Sequence, residues 1–454
     1  MNVWLMNTTQ SAAPSEAPAQ AAPAAGSPLD PSPLQRRGMR ACILGQGFGC
    51  LAHCSFSNGL LLLFLTQLGI SSASTITYLA LPNMLQAVLL LPLAFLADRV
   101  GMKRLGIPGM VLTALGFLGV TLAASLEPAL SHPIAFGGLT LYGLGWGLYG
   151  ASWFALLSPV VPAHMRGRFF GTMRFVWQLA GLLFGIACSF LLSQAAPAYT
   201  YQIILGVIVV GLAIRVYYYA RIPELEPPQS KRDGLLERMG TIMRAPGYAS
   251  FCCYAFLISL FTYNAPNLFG LVEKKTLHFS DGEVVWMGNL LMLGSIAGYY
   301  VGGKAIDRWG TKSVFLLCHF AFAGVLAAFL LRGLVPLPMV GYLGALNLLF
   351  GMLLAASNVA ISTEMLALIP AEGKSVSTAL CMTLVAGGQA MSGFFAAAGI
   401  ELGLFRESWA LLGHALGVYD ALLLIYGVMV FVMVVALGLV PSVLRKAEWA
   451  PRGM

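Results

Sequence analysis

Gly303-Lys304-Ala305-Ile306-Asp307-Arg308-Trp309-Gly310-Thr311-Lys312 repeats, 209 residues on, the stretch Ala94-Phe95-Leu96-Ala97-Asp98-Arg99-Val100-Gly101-Met102-Lys103. Both copies lie between long apolar runs. In each, a small residue (Gly303 or Ala94) lets helices approach, and an aspartate (Asp307 or Asp98) sits at a turn. A glycine (Gly310 or Gly101) then permits positive φ, and the cations Arg308, Lys312, Arg99 and Lys103 favour a cytoplasmic membrane surface. A turn copied this way predicts a copied bundle on either side of it.

The composition agrees. Hydrophobic residues make up 58%, charged residues only 10%, and the mean hydropathy is +0.80, whereas about a quarter of an ordinary soluble chain is charged. Crossing a hydrocarbon core of about 30 Å takes about 20 residues. Twelve runs qualify: 41–68, 75–96, 105–125, 134–160, 169–193, 202–221, 249–271, 284–305, 313–332, 336–360, 376–399 and 417–440. The predicted organisation is a tail (1–39), a six-helix half (40–221), a polar linker (222–248), a second six-helix half (249–441) and a short C-terminal tail (442–454).

The net charge of +8 would suit nucleic acid if it were clustered, but its placement excludes that reading. With the N-terminus inside, every Lys and Arg except Lys274, Lys275, Arg332 and Arg406 falls on the cytoplasmic side or at a nearby helix end. This positive-inside pattern predicts a multi-pass protein with both termini cytoplasmic, and a short tail with no external glycosylated loop suits a bacterial inner (plasma) membrane. All eight cysteines lie within predicted spans, so they read as small apolar residues rather than disulfides. Residues 1–39, rich in Ala, Pro and Ser, read as a disordered tail, with Met39 a possible alternative start.

The repeat extends further. Pro162-Ala163-His164-Met165-Arg166 after span 4 is matched by Pro370-Ala371-Glu372-Gly373-Lys374 after span 10, and Asn58 in span 1 falls opposite Asn267 in span 7. In the linker, Leu235, Leu236, Met239, Ile242 and Met243 form one helical face, readable as a short interfacial helix or equally as a solvated one.

The string GxxxDRxGxK resembles the loop between helices 2 and 3 of major facilitator superfamily transporters and its repeat between helices 8 and 9. The resemblance covers about residues 40–445. It implies an all-α membrane fold of twelve helices in two pseudo-symmetric six-helix bundles, working by alternating access. It also implies gating roles: Asp98 facing the start of span 11, Asp307 facing the start of span 5, and Glu364 pairing with Arg308 or Lys312. The same loops would also serve simply as turns with cytoplasmic anchors. Ala94 departs from the pattern's glycine.

By the same resemblance the cavity is lined by spans 1, 2, 4, 5, 7, 8, 10 and 11. Their polar and aromatic residues are His53, Asn58, Asn83, Gln86, Tyr142, Trp146, Arg174, Trp177 and Gln178 in the first half. In the second half they are Tyr263, Asn264, Asn267, Asn289, Asn347 and Gln389. Amides with aromatics suit a polar, hydroxylated or zwitterionic solute, though many such residues instead join helix to helix. Arg174 lies only six residues beyond Arg168, about 9 Å along a helix axis, so it either snorkels to the interface or holds an anionic group. His53 titrates in the range a proton-coupled carrier uses, but it reads more readily as a neutral, hydrogen-bonded histidine, and the boundary acids Glu283, Asp420 and Glu364 are the other candidates for coupling. No other mid-membrane carboxylate is expected in the cavity spans. Cys50, His53 and Cys54 lack a fourth ligand, so no metal site is read.

GxxxxGK[ST], HExxH and Gly-x-Ser-x-Gly are all absent, which leaves no machinery for pumping or hydrolysis, and no cofactor is expected. The expected protein is thus a monomeric, non-enzymatic secondary transporter of a small polar organic solute, open to coupling by proton or sodium, with the lipid bilayer as its other partner. Efflux of amphipathic compounds is the first alternative. A non-transporting receptor or scaffold on the same fold is the second.

Overall fold

The computed structural model describes residues 31–162, 166–192, 196–225, 239–240, 242–244, 246–368, 374–406 and 408–438. Residues 1–30 of the expected N-terminal tail, most of the linker helix and the C-terminal tail lie outside these residues; Pro33 to Met39, expected in that tail, instead open the first helix. Backbone polar groups in lipid must be satisfied within their own segment, so the spans are helices. The first half contains α1 (Pro33–Ser57), α2 (Leu60–Gln67), α3 (Ser72–Val100), α4 (Met102–Ala123), α5 (Pro128–Leu157), α6 (Arg166–Leu191) and α7 (Ala198–Ala220). The second contains α8 (Tyr248–Thr262), α9 (Ala265–Leu271), α10 (Asp281–Trp309), α11 (Thr311–Leu330), α12 (Met339–Leu368), α13 (Lys374–Glu401) and α14 (Val418–Met433).

Ten of these segments are long and apolar enough to cross a membrane, and the bent pair α1/α2 makes an eleventh. The twelfth is α5, 30 residues long, with its hydropathy diluted by glycine, tyrosine and tryptophan. Between spans 11 and 12 lies an unforeseen hairpin. Strands β1 (Ser408–Leu411) and β2 (His414–Gly417) pair antiparallel around Leu412 and Gly413, both at positive φ, as a tight two-residue turn requires.

Spans 1 and 7 are broken at corresponding depths. The axis bends by 59° between α1 and α2, where Gly59 takes φ 79° and the Asn58 side-chain oxygen accepts the Leu60 N–H at 3.2 Å. In span 7 the break falls at Tyr263 and Asn264, ahead of Pro266. The helix then continues through a π-helical turn, Val272–Thr276, well past the predicted end at 271.

Within each half the helices touch through glycine. Gly294, Gly298 and Gly302 of α10 lie against Leu348, Met352 and Ala356 of α12, and Gly116 of α4 faces Gly138 of α5. These contacts let the backbones meet where lipid supplies no hydrophobic drive. Gly303 faces open space, so the close approach expected of it belongs to its neighbour Gly302. The halves meet along α3/α13 and α6/α10.

We call the end of the bundle that carries the two Asp-Arg turns the turn face, and the other the distal face. On the distal side Gly282 N–H donates to the Leu192 carbonyl at 2.9 Å, Ser72 and Tyr419 share a 2.8 Å bond, and Gly393 packs on Ala80. Those contacts join the two halves at the distal face.

Candidate functional site

Tyr142, Trp146, Tyr149 and Trp153 recur at helical spacing on α5 and form a ladder, with successive ring centroids 6.2, 5.5 and 5.0 Å apart. Phe56 of α1 stacks on Tyr142 at 5.3 Å. Behind the ladder stands Arg215 of α7, only 3% exposed, its guanidinium carbon 4.4 Å from the Tyr149 centroid and 5.6 Å from that of Trp146. Gln46 donates to the Tyr149 hydroxyl at 2.7 Å and accepts from Arg215 Nη2 at 3.4 Å. Gly49 has no Cβ where the guanidinium passes. Among the described residues no carboxylate pairs with this cation.

The second half holds a cleft of its own. Ser259 and Thr262 of α8, Tyr263 at its end, Ser357 and Asn358 of α12 and Gln389 of α13 line this space of about 340 Å³, open mouth included. Asn83 of α3 reaches Tyr263 from the first half, and Gln86 flanks Gly150 of α5. His53 is exposed, with its ring 5.6 Å from that of Trp177 on α6. Gln178 is half-buried beside it. Arg174 is exposed nearer the turn face, its guanidinium carbon 5.3 Å from the Tyr299 ring of α10.

The remaining sequence candidates lie elsewhere, so the expected set of fifteen does not converge on one cavity. Asn58 and Asn289 are buried at the seam between halves, where Gly288 abuts Asn58 and Gly185 abuts Asn289. Neither polar atom of the Asn289 amide has a partner. Asn264 accepts from Asn267 at 2.8 Å inside the break of span 7. Asn347 donates to Glu273 at 3.0 Å within the second half.

The sequence model described as Major Facilitator Superfamily matches residues 43–393. The chain belongs to that superfamily. Among solved structures it resembles a nucleoside transporter, NupG, at 14% identity and a TM-score of 0.66, covering 89% of this chain and 98% of that one. It also resembles a POT family transporter in complex with a thioalcohol-conjugated peptide, at 13% identity and a TM-score of 0.70, covering 90% and 97%. A POT family transporter in complex with 5-aminolevulinic acid matches equally well. No curated protein matches the chain in sequence. The molecule is accordingly a multi-pass membrane transporter of the major facilitator type and not an enzyme.

The superfamily's duplicated turn has the expected backbone. Gly101 takes φ 110° and Gly310 φ 80°, each with its N–H on the carbonyl four residues back. Lys103 Nζ donates to the Ala220 carbonyl at 2.6 Å, and Glu224 accepts the Met102 N–H at 2.7 Å, capping α4. Arg99 lies over Phe95 at 4.1 Å. Asp307 and Arg308 are exposed, while the Asp98 side chain lies outside the described set, as do those opening α6 and α13. Glu364 is buried at 7% exposure.

Two buried charges escaped the sequence reading. Arg215 sits on span 6, set aside as peripheral, and its only sequence signal was a cation five residues inside the end of an apolar run. Glu273, 1% exposed, lies in the π turn that ends span 7, past the predicted end at 271. Both are intramembrane ionisable groups, which are rarely kept without function.

Proposed function

We propose that this chain is a secondary transporter moving a small polar organic solute, one that bears a carboxylate, a phosphate or a similarly electron-rich group, by alternating access between its two halves. One observation carries the reading: a buried arginine, Arg215, backs the aromatic ladder of the first half and has no carboxylate partner among the described residues. A cation held in a low-dielectric wall projects positive potential into the space before it. Trp146, the half-buried ring of the ladder, offers a face to pack on, while Asn83, Tyr263, Gln389 and Ser357 offer hydrogen bonds, a combination suited to orienting a polar solute. The POT family transporter in complex with 5-aminolevulinic acid shows that the fold accommodates a solute of this chemistry.

In this reading the turn face is cytoplasmic, as its cations favour, and the conformation described is closed outside with a cleft toward the cytoplasm. Both termini then lie inside a bacterial inner membrane and the monomer is the working unit. His53 is the titratable group on the cavity wall and the candidate for proton coupling, with sodium as the other option.

The test is a thermal-stability screen of the purified protein against carboxylates, amino acids, short peptides, phosphates, nucleosides, sugars and lipophilic cations, followed by counterflow in liposomes. Ligand bound to the folded state raises its apparent stability. A shift confined to anionic or zwitterionic solutes, with exchange in liposomes, is expected. Shifts with lipophilic cations alone would replace this reading with efflux. Binding without exchange would make the protein a receptor.

A further inference from the structure

Glu273 lies in the π-helical turn Val272–Thr276 that ends span 7. Its side chain is 1% exposed and accepts one hydrogen bond, from the neutral Asn347 amide at 3.0 Å. The next residue, Lys274, pairs with Asp281, the first residue of α10. Asp281 also accepts the hydroxyl of Tyr201, a fully buried residue of α7 in the other half, at 2.7 Å. Beside it runs the Gly282 to Leu192 backbone bond. One π turn therefore joins a buried carboxylate to a clasp that holds the halves together at the distal face. Single π turns concentrate at functional positions because their wider backbone ring repacks easily.

We propose that this turn is a proton-operated latch: a proton on Glu273 holds the distal face shut, and its loss releases the Lys274–Asp281–Tyr201 clasp. The inference rests on alternating access, as read above, but not on any particular solute. In the chemical step a hydronium ion gives its proton to a carboxylate oxygen: one O–H bond of hydronium breaks, one O–H bond forms on the carboxyl, and water is left.

The direction follows from burial. An ionised carboxylate with one neutral donor lacks the partners that make a buried charge tolerable. Separation of the distal ends restores them by admitting water: Gly270, one turn before Glu273, packs against Leu62 of the first half, so parting the halves uncovers this turn.

Other charged or titratable groups around the turn do not compensate Glu273. Lys274 is held by Asp281, Glu283 by Ser280, Arg332 by Asp420, and Tyr342 by the Ala328 carbonyl. Lys275 and His278 are exposed.

The test needs no substrate. Spin labels are placed on the full-length protein in nanodiscs at Glu127→Cys and Arg406→Cys, exposed distal positions on opposite halves, in a Cys253→Ser background because the other cysteines are buried. Pulsed dipolar distances are compared at pH 5.5 and 8.5. The wild-type background is expected to move several-fold toward the longer distance at high pH. Glu273→Gln is expected to hold the short distance at both, and Glu273→Asp to restore the response. Tyr201→Phe should raise the long-distance fraction at both pH values.

A pH-independent wild-type distribution, or an unaltered pH response in Glu273→Gln with wild-type melting behaviour, would overturn the latch. Failure of every solute to exchange in liposomes would instead sink the transport reading and leave this measurement standing.

Discussion

Arg332 at the end of α11 and Asp420 in the first turn of α14 form a two-point ion pair, Nη1 to Oδ1 at 2.7 Å and Nη2 to Oδ2 at 3.0 Å, with exposures of 5% and 0%. The carboxylate also accepts the Gly417 N–H at 2.9 Å, and Arg332 donates to the Phe329 carbonyl at 3.1 Å. The pair pins spans 9 and 12 and anchors the β hairpin. Removing one partner strands the other charge, a loss of about 3–5 kcal/mol. Arg332→Ala and Asp420→Asn should therefore each lower the melting temperature markedly, while the double change to a well-packed apolar pair costs less. Equal losses for the double and single variants, by thermal melting, would contradict this.

The glycine seam between α10 and α12 makes a second prediction. A Cβ at Gly298 would land on the Met352 carbonyl, whereas one at Gly303 meets nothing within 4 Å. Gly298→Val should cost about 1–3 kcal/mol or prevent folding. Gly303→Ala, although in the duplicated motif, should change stability by less than about 0.5 kcal/mol. Melting curves and folded yield measure both.

That contrast marks how far the sequence could be read. Hydropathy exposes the spans because lipid demands unbroken apolar helices, and the repeated turn exposes the two halves because Gly101 and Gly310 need a backbone few other residues take. Rotation about each helix axis is invisible to both signals, so Gly303 was credited with the approach made by Gly302. The same blindness set Arg215 aside with its span. Glu273 was missed for another reason. Glu273-Lys274-Lys275 ends an apolar run and looks like a loop, while in three dimensions a π turn folds its first residue inward and its second outward. Asn58, Asn264 and Asn347 were identified as polar residues at membrane depth, yet their partners are set by packing between helices far apart in the chain.

Asn289 buries an amide with no partner on either polar atom, pressed against Gly185 across the seam. An unsatisfied buried amide costs about 1–3 kcal/mol, so Asn289→Leu should stabilise the distally closed protein by a comparable amount. A seam that must part in each cycle then opens less often. Melting should rise and counterflow fall together; a lower melting temperature with undiminished counterflow would show that the amide is not strained by closure.

Arg215 tests the solute reading directly. Its guanidinium has five N–H donors, meets one acceptor at 3.4 Å and is otherwise covered by aromatic faces, an arrangement poor for stability and useful for holding negative charge. Arg215→Met should leave the ligand-free melting temperature unchanged or raised, since it removes a buried cation that has no partner ion among the described residues. The same change should weaken an anionic or zwitterionic solute at least tenfold, about 1.4 kcal/mol, erasing most of its thermal shift. Arg215→Lys should not rescue it, because a compact ammonium cannot spread over Trp146 and Tyr149 as the planar group does. Undiminished ligand shifts in Arg215→Met would mean that the potential behind the ladder plays no part in recognition, and would move the solute's charged end toward Arg174 and Tyr299.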